Sequence, residues 1–212
     1  MITIIYYSSS MESPEFEDKI QWDIVKKSGG IPIISVTQKP TDFGTNICVG
    51  DVGASEQNLL RQMLIACESA TTKYVISCES DCLYDGSYFK FIPPTDTACY
   101  RNNNTYLLGY KRDYFYKKPE GGLWCQVVNR KFLIKRLEKL LEGAPKWDAT
   151  AKNFVKDKGM KFFDSYEYFT TENPCISIKT GKGMRQSSHS ERLPIYELPY
   201  WKSAKSIREK YL

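Results

Sequence analysis

The most constraining feature of this 212-residue sequence is the stretch KYVISCESDCLY at residues 73–84. Its apolar run, YVI, is typical of a central strand, because interior strands of parallel or mixed sheets are covered on both faces. The run breaks abruptly into the acidic residues Glu79 and Asp81. Open α/β sheets bind ligands beyond the carboxyl ends of their strands. The two carboxylates are therefore a candidate metal and phosphate site.

Two strand–helix units precede this stretch. Residues 2–7 are predicted to form the first strand, residues 15–27 an amphipathic helix and residues 31–36 the second strand. A second helix is predicted over residues 56–70. Such a βαβ unit implies parallel strands with right-handed crossovers. The carboxylates then fall at the end of the third strand, beside the loop that ends the first.

Several polar and aromatic residues are predicted at the same edge of the sheet. Tyr6 and Tyr7 end the first strand, where they either stack on a nucleobase or lie half in the core. Ser8 follows them and is a candidate ribose or phosphate ligand. Gln38 begins the loop after the second strand. Gln62 lies in the second helix, whose N-terminus can help hold phosphate; the alternative is an ordinary surface position.

The chain after the acidic motif carries shorter signals. Residues 97–100 and 105–108 are predicted to be short strands around an Asn-rich turn, and a double glycine at 121–122 permits close approach of the backbone to a ligand. Helices are predicted over residues 133–141 and 148–155. A late strand is predicted over residues 174–179.

Composition limits the classes of protein to consider. A net charge of +5 tolerates phosphate-bearing ligands but is not a nucleic-acid signature by itself. Seven cysteines, with no secretory segment expected before them, favour a reducing cytoplasm, which is the host's if the chain is phage-encoded. Cys78 and Cys82 have no second Cys/His pair at the spacing of a zinc site, so we do not expect a structural zinc ion. No apolar run approaches the roughly 20 residues of a membrane helix, so we expect a soluble protein.

Three segments resemble a known group of proteins. They are residues 31–49 (IPIISVTQKPTDFGTNICV), residues 73–84 with the following FIPP, and residues 121–133. In this order they resemble small glycosyltransferase-like proteins of the GT-A type from bacteria and phages, whose acidic motif usually reads EHDVLY where this chain has ESDCLY. The resemblance implies an α/β, single GT-A (Rossmann-like) domain over residues 1–178, with a mostly parallel central sheet flanked by helices. Residues 179–212 would be a basic extension that closes over the active site.

The resemblance also implies an activity, namely metal-dependent transfer of a sugar from a nucleoside-diphosphate sugar, with a UDP-sugar as the first choice, to an acceptor hydroxyl. Mn²⁺ and Mg²⁺ prefer oxygen ligands and are typically held by one or two carboxylates plus substrate phosphates. Asp81 is the first-choice ligand, and Glu79 is a second ligand or a ribose contact. Lys179, Lys182 and Arg185 would cover the diphosphate when their loop closes.

The third metal ligand departs from the family pattern. Many GT-A enzymes complete the site with a late histidine, and here Thr180 stands at that place, in Ile-Lys-Thr-Gly where Arg-His-Gly is usual. His189, the single histidine of the chain, is the candidate substitute; the alternative is a solvated loop histidine. An inverting transfer also needs a base at the acceptor hydroxyl, for which Glu120 and Asp148 are candidates. A retaining transfer would need neither.

Two other function classes and several acceptors stay open. A nucleotidyltransferase of related fold usually carries a Gly-rich, basic loop after its first strand, and this chain has three serines there. A non-catalytic module that binds nucleotide sugars is the other alternative, favoured by the missing late histidine. The acceptor is a hydroxymethylated DNA base of a phage, a glycan or a protein. The basic, aromatic C-terminal region would suit DNA phosphates. The oligomeric state is left open.

Overall fold

The structure is a computed structural model that describes residues 1–181 and 193–212. Its strands within these ranges are β1 (Ile2–Ser8), β2 (Ile33–Thr37), β3 (Thr45–Cys48), β4 (Tyr74–Glu79), β5 (Cys82–Leu83), β6 (Cys99–Asn102), β7 (Thr105–Leu108), β8 (Phe115–Lys117), β9 (Gln126–Asn129), β10 (Glu167–Phe169), β11 (Cys175–Ile178), β12 (Glu197–Leu198) and β13 (Lys202–Ser203). The α-helices are α1 (Pro14–Ser28), α2 (Glu56–Ser69), α3 (Arg130–Leu141), α4 (Phe154–Asp157) and α5 (Ala204–Tyr211), and Gly86–Lys90 forms a 3₁₀ helix.

The first two helices begin where their capping residues predict. Ser13 precedes α1 and its hydroxyl accepts a hydrogen bond from the Phe16 amide, while Pro14 occupies the first turn. Ser55 caps α2 in the same way, through the Asn58 amide. These caps satisfy amide groups that have no partner within the helix. Both helices therefore start at the carboxyl edge of the sheet, immediately after the loops that follow β1 and β3.

The central sheet confirms the predicted fold class. Within the described residues it has the strand order β10-β6-β9-β4-β1-β2-β3, and β9 runs antiparallel to both of its neighbours while the other pairs are parallel. Helices flank this mostly parallel sheet, as expected for an α/β domain of the GT-A type. Strand β4 lies beside β1 in a register that pairs Tyr7 with Glu79. The acidic motif thus ends a strand in the middle of the sheet.

A second, smaller sheet lies beside the acidic motif and was not predicted. It has the order β5-β11-β7-β8 within the described residues. Strand β5 comes directly after the acidic turn and pairs antiparallel with β11, placing Ser177 opposite Cys82. On its other side β11 runs parallel to β7. This sheet therefore carries the end of β11 to the carboxylates of residues 79 and 81.

The described end of the chain packs into the same core as the rest. Trp201, Ile207 and Tyr211 are almost completely buried. The Trp201 indole donates a hydrogen bond to the Pro174 carbonyl (2.6 Å), and the Tyr211 hydroxyl donates one to Asp23 on α1 (3.1 Å). The predicted closing extension over 179–212 stays a prediction, since residues 182–192 lie outside the described part. No helix in the described ranges is both long and apolar enough to span a membrane.

The predicted helix over residues 148–155 is wrong. Residues 148–153 form turns, and helix α4 covers only Phe154–Asp157. The reason is local, because the Asp148 carboxylate accepts hydrogen bonds from the Thr150 amide (2.8 Å) and hydroxyl (2.7 Å). An aspartate that binds the backbone two residues ahead stabilises a turn at the expense of a helix.

Candidate active site

The two acidic residues lie together at the carboxyl end of β4. Glu79 is the last residue of the strand, and Asp81 follows in the turn that leads into β5. Potential ligand atoms of Glu79, Asp81 and Cys82 all lie within 4.8 Å of one another. The turn is held by β11, because the Ile178 amide donates a hydrogen bond to the Asp81 carbonyl (2.7 Å). Asp81 is only 6% exposed.

A lysine from the second sheet forms an ion pair with the acidic turn. The Lys179 ammonium donates to Asp81 Oδ2 at 2.9 Å, and both side chains are largely buried. The backbone of Lys179 is fixed, since its amide donates to the Leu108 carbonyl (2.8 Å). Burial alone would lower the pKa of this ammonium, but the charges of the acidic turn and the hydrogen bond to Asp81 together outweigh that effect, and the pKa is raised. Lys179 therefore stays charged.

Burial and mutual repulsion perturb the ionisation of this site. Burial raises the pKa of Glu79 to about 7, the charge of Asp81 adds to the rise, and Lys179 opposes it. The pKa of the Cys82 thiol is raised well above its usual value by burial and by both carboxylates. Its sulfur donates to Asp81 Oδ1 (3.1 Å). Cys82 is thus a protonated donor rather than a thiolate ligand.

The residues present fit a hard divalent cation. Mn²⁺ and Mg²⁺ are commonly held by one or two carboxylates plus the oxygens of a substrate phosphate, and Glu79 and Asp81 offer such a pair within 4.8 Å. Asp81 Oδ2 is engaged by Lys179 in this state. An ion on that oxygen would therefore share it with, or displace, the ammonium.

Buried tyrosines hold the end of β4 in place. The Tyr84 hydroxyl accepts from the Glu79 amide (2.8 Å) and donates to the Trp124 carbonyl (2.9 Å). The Tyr7 hydroxyl donates to the Leu123 carbonyl (3.1 Å) from the neighbouring strand. The acidic residue at position 79 is therefore tied on both sides to the segment that precedes β9.

The residues predicted to bind the nucleotide are largely occupied by the protein itself. Tyr6 is fully buried, and its hydroxyl donates to Glu17 (2.8 Å), so its ring lies in the core and not at the sheet edge. Gln62 donates to the Ser8 and Val36 carbonyls (2.8 and 2.9 Å). The Gln38 side chain accepts from the Val52 and Gly53 amides and donates to the Gly53 carbonyl. The two glutamines hold the loops of this edge together.

Tyr7 and Ser8 lie nearer to the acidic residues. Tyr7 pairs with Glu79 in the sheet, although its ring is almost completely buried. The Ser8 hydroxyl accepts from the Ser10 amide (2.9 Å), which shapes the loop after β1. A nucleotide contact from either residue stays a prediction.

The two candidate bases lie apart from each other. Asp148 contacts the start of α2, where its amide donates to Asn58 (2.8 Å), and hydrogen bonds from Thr150 hold the pKa of its carboxyl below the usual value. Glu120 is exposed in the turn before Gly121. Neither belongs to the carboxylate group formed by Glu79 and Asp81 in the described residues. The calls on Lys182, Arg185 and His189 lie outside those residues.

Sequence reasoning missed three charged residues around this site. Glu12 accepts a hydrogen bond from Thr180 (2.9 Å), and its pKa is raised by burial. Its signal was its place in the loop after the first strand. Lys118 and Arg101 lie on the other side of β4, and their charges act on the same region. The sequence offered no signal for Arg101, whereas Lys118 ends a polar and aromatic segment, residues 113–118, that is typical of a loop or short strand lining a cleft.

Comparison with known proteins supports the fold. No protein-family model matches the sequence, and no curated protein matches it. HddC from Yersinia pseudotuberculosis shares the fold with a TM-score of 0.51 at 11% identity, over 84% of this chain and 93% of that chain. TarS 1-349 from S. aureus in complex with UDP-GlcNAc gives a TM-score of 0.45 at 10% identity, over 99% and 65% of the two chains.

A third solved structure carries both a nucleotide sugar and a metal ion. Mannosyltransferase PcManGT from Pyrobaculum calidifontis, in complex with GDP-Man and Mn²⁺, gives a TM-score of 0.45 at 14% identity, over 83% of this chain and 56% of that chain. The chain also spans 55% of the bifunctional IspDF from Campylobacter jejuni. One of these structural neighbours is described as a mannosyltransferase with a bound nucleotide sugar. Identities this low establish a shared fold, and one fold hosts many activities.

Proposed function

We propose that this chain is a glycosyltransferase that moves a sugar from a nucleoside-diphosphate sugar, with a UDP-sugar as first choice, to an acceptor hydroxyl. The observation that carries the proposal is the pair of Glu79 and Asp81 at the carboxyl end of the central strand, with ligand atoms within 4.8 Å. Ligands of open α/β sheets bind at this edge. Loss of a nucleoside diphosphate from the sugar needs positive charge there.

The acidic pair would hold Mn²⁺ or Mg²⁺, with Asp81 as the principal ligand and Glu79 as the second. When bound, such an ion offsets the negative charge that develops on the departing diphosphate. Lys179, 2.9 Å from Asp81, would donate to a diphosphate oxygen once an ion engages that carboxylate. Lys182 and Arg185 are proposed to extend the same positive surface, and His189 to complete the ion's ligands.

A base is needed only if the transfer inverts the anomeric centre. Glu120 and Asp148 remain proposals for it. Glu12 joins them because it lies beside Thr180, next to Lys179, and because burial raises the pKa of its carboxyl, which makes it a better proton acceptor when ionised.

The loop after β1 favours sugar transfer over nucleotidyl transfer. A nucleotidyltransferase needs basic groups on the triphosphate, and residues 8–13, SSSMES, contain neither lysine nor arginine. The Ser8 side chain is used within the loop itself. The acceptor is proposed to be a hydroxymethylated phage DNA base, a glycan or a protein, with the three on an equal footing. All seven cysteines are free, which suits the proposed cytoplasmic location.

Thermal stabilisation tests the proposal. The protein is melted with a panel of nucleotide sugars, including UDP-GlcNAc and GDP-Man, with Mn²⁺ and with chelator. We expect a donor-specific rise in Tm that needs Mn²⁺ and is lost in Asp81→Asn. Asp51→Asn, which removes an exposed carboxylate elsewhere on the carboxyl edge, is the matched control. A donor-specific shift that persists unchanged in Asp81→Asn would refute the metal-site assignment.

A second measurement tests the acceptor. Labelled donor is incubated with hydroxymethylated DNA and protein, and the DNA is digested to nucleosides for mass spectrometry. A hexose or pentose mass gain on the modified nucleoside is expected. No gain on any nucleoside, with a donor that the protein binds, would remove DNA as the acceptor.

A further inference from the structure

The positive charge of the chain is concentrated in one segment. Residues 130–161 contain ten lysines and arginines against four aspartates and glutamates, which gives this segment a net charge of +6. The whole chain carries +5, so all the other residues together carry −1. The segment consists of helices α3 and α4 with the turns around them. The excess of cations therefore belongs to one part of the fold.

Most of these cations face solvent without a partner. The ion pairs among residues 1–181 and 193–212 involve lysines 27, 73, 179 and 205, all outside this segment. Six lysines of the segment are exposed, and their ammonium groups make no hydrogen bond or ion pair within those ranges. They are Lys131, Lys135, Lys139, Lys152, Lys156 and Lys161. Their charge is free to act on an external partner.

Helix α3 carries its lysines against its own electrostatics. Arg130 and Lys131 occupy its first turn, which has no acidic residue, although the dipole of a helix disfavours positive charge there. Lys131, Lys135 and Lys139 recur every four residues and so lie on one side of the helix, where like charges at this spacing are destabilising. The leucines on the opposite side are buried in the core and hold the helix in place. A negatively charged partner would remove the repulsion.

A cleft of about 370 Å³ lies beside this row of lysines. Helix α3 forms one wall, and residues 97–99 and 163–165 form the other. Its described lining includes three cations, two phenylalanines and one carboxylate: Lys135, Arg136, Lys139, Phe132, Phe163 and Asp164. The Arg136 guanidinium donates to the backbone carbonyls of residues 161 and 162, which ties the two walls together. Lys161 is thereby held next to the row on α3.

This basic surface is separate from the acidic pair. Cys99, which lines the cleft, pairs with Val128 of β9, and Val128 pairs on its other side with Val75 of β4. The cleft is thus level with the start of β4, whereas Glu79 ends that strand four residues later. At the usual rise of a strand, this difference in level is about 13 Å. The lysines on α3 therefore need a ligand of their own.

The chemistry of the surface favours a chain of phosphates. Each exposed ammonium acts as a point charge on a phosphate oxygen, and a row of them suits a polyanion whose charges repeat. A helix that binds a bilayer presents apolar side chains to it. None of the exposed large apolar side chains belongs to residues 130–161, whose positions the structure describes throughout. The backbone of a nucleic acid offers repeated phosphates and needs no apolar contact.

We propose that Lys131, Lys135 and Lys139 on α3, with Lys161 beside them, form a docking surface for the phosphodiester backbone of a nucleic acid. Contacts of this kind hold the polymer without reading its sequence. The proposal stands independently of glycosyl transfer, because neither Glu79 nor Asp81 takes part in it.

Fluorescence anisotropy with a labelled DNA duplex, in chelator and at several salt concentrations, tests this surface in the full chain. The logarithm of the binding constant should fall linearly with the logarithm of the salt concentration, because bound phosphates release counter-ions. Changing Lys131, Lys135 and Lys139 together to glutamine should reduce that slope by about 3, one for each ammonium, and weaken binding at least about tenfold. Arginine at the same three positions should retain the binding.

A second triple variant is the matched control. Lys26→Gln, Lys90→Gln and Lys210→Gln remove the same charge from exposed positions on α1, the 3₁₀ helix and α5. These elements pack into the core on the other face of the central sheet from α3. The control should keep the wild-type slope. Binding of nucleoside-diphosphate sugars, measured in the same variants, should not change, so a failure of this surface and a failure of the proposed function give different results.

Four results would overturn the docking surface. Wild-type protein that binds no duplex at low salt is the first. Equal losses in the two triple variants are the second, because binding would then follow net charge alone. The third is displacement of the duplex by polyglutamate as readily as by unlabelled DNA, which would show that phosphate is not required. The fourth is tighter binding to vesicles of anionic lipid than to DNA through the same lysines, which would assign the surface to a membrane.

Discussion

The ion pair between Lys179 and Asp81 should be strongly coupled to folding, and a double-mutant cycle measures that coupling. The two charges are 2.9 Å apart, and their side chains are 19% and 9% exposed. Lys179→Met keeps the apolar stem and removes the charge, while Asp81→Asn keeps the shape and removes the opposite charge. Each single change leaves a largely buried charge without its main partner.

The expected magnitude follows from the distance and the burial. At the effective dielectric constant of about 20 that suits such sites, two unit charges 2.9 Å apart attract by about 6 kcal/mol. Desolvation offsets part of this, and removal of one partner from a buried pair costs about 3–5 kcal/mol. In Asp81→Asn the charge of Glu79 partly compensates the Lys179 ammonium, and in Lys179→Met the Ser177 hydroxyl, 3.5 Å from Asp81 Oδ2, partly compensates the carboxylate, so we expect about 3 kcal/mol for each single variant. The double variant should also lose about 3 kcal/mol, which leaves a coupling energy near 3 kcal/mol.

Urea unfolding in the presence of chelator measures the four free energies. Each single variant should also melt about 6–12 °C lower, by the usual scaling for a chain of this size. The exposed pair Lys205 and Glu209, 3.7 Å apart, is the control within the same protein and should show a coupling below about 0.5 kcal/mol. If the Lys179–Asp81 coupling is no larger than that of the control pair, the reasoning about this buried pair is refuted.

Three further predictions concern the surroundings of the site. The pKa of Glu79 is raised to about 7, so the folded protein keeps a proton that the unfolded chain releases near pH 4.5. The free energy of unfolding should therefore fall by about 2–3 kcal/mol between pH 5 and pH 8. Glu79→Gln should flatten this pH dependence in urea titrations, and an equal slope in both proteins would contradict the prediction. Tyr84→Phe leaves the Glu79 amide and the Trp124 carbonyl without their shared partner and should cost about 1–3 kcal/mol of unfolding free energy, whereas no loss would show that water replaces the hydroxyl. Trp201→Ala should lower the free energy of unfolding by about 3–5 kcal/mol and leave a single unfolding transition, because this buried ring belongs to the main core. A separate early transition would instead indicate an independent C-terminal unit.

The parts of the fold that local sequence patterns encode were predictable. Strand β4 has an apolar run, and helices α1 and α2 have serine caps and apolar stripes, so their type and order followed from the sequence. The acidic motif could be placed at the ligand-binding edge because two strand–helix units precede it. These predictions depend only on residues that are close together in the sequence.

Strands were predicted over residues 105–108 and 174–179, which contain β7 and β11, but their pairing into a second sheet could not be predicted. The strands of this sheet are two to four residues long, and β5 and β11, which pair beside the acidic turn, are separated by about ninety residues of chain. A short strand is stabilised by the partner it finds, which is tertiary information. For the same reason the sequence predicted a late strand ending at Lys179 without indicating that this lysine would reach Asp81.

The positions of the side chains at this edge of the sheet could not be predicted from the sequence either. Tyr6 and Tyr7 look equivalent in the printed chain, but consecutive strand residues point to opposite faces. Tyr6 thus packs on Phe43 in one core, while Tyr7 lies on the other face. Which face carries which tyrosine depends on the helices that cover the sheet.

The balance of charge at this edge explains why the acidic motif alone is an incomplete guide to the ligand. Asp81 is compensated by Lys179, which comes from the far end of the chain, so a cation at the carboxylates must compete with a resident ammonium. Burial and the charges of Lys179 and Arg101 lower the pKa of Lys118, and the charge of Glu79 opposes that effect. A ligand that satisfies this edge therefore has to bring positive charge to the two carboxylates and negative charge to Lys179. A divalent cation bound together with a diphosphate would supply both.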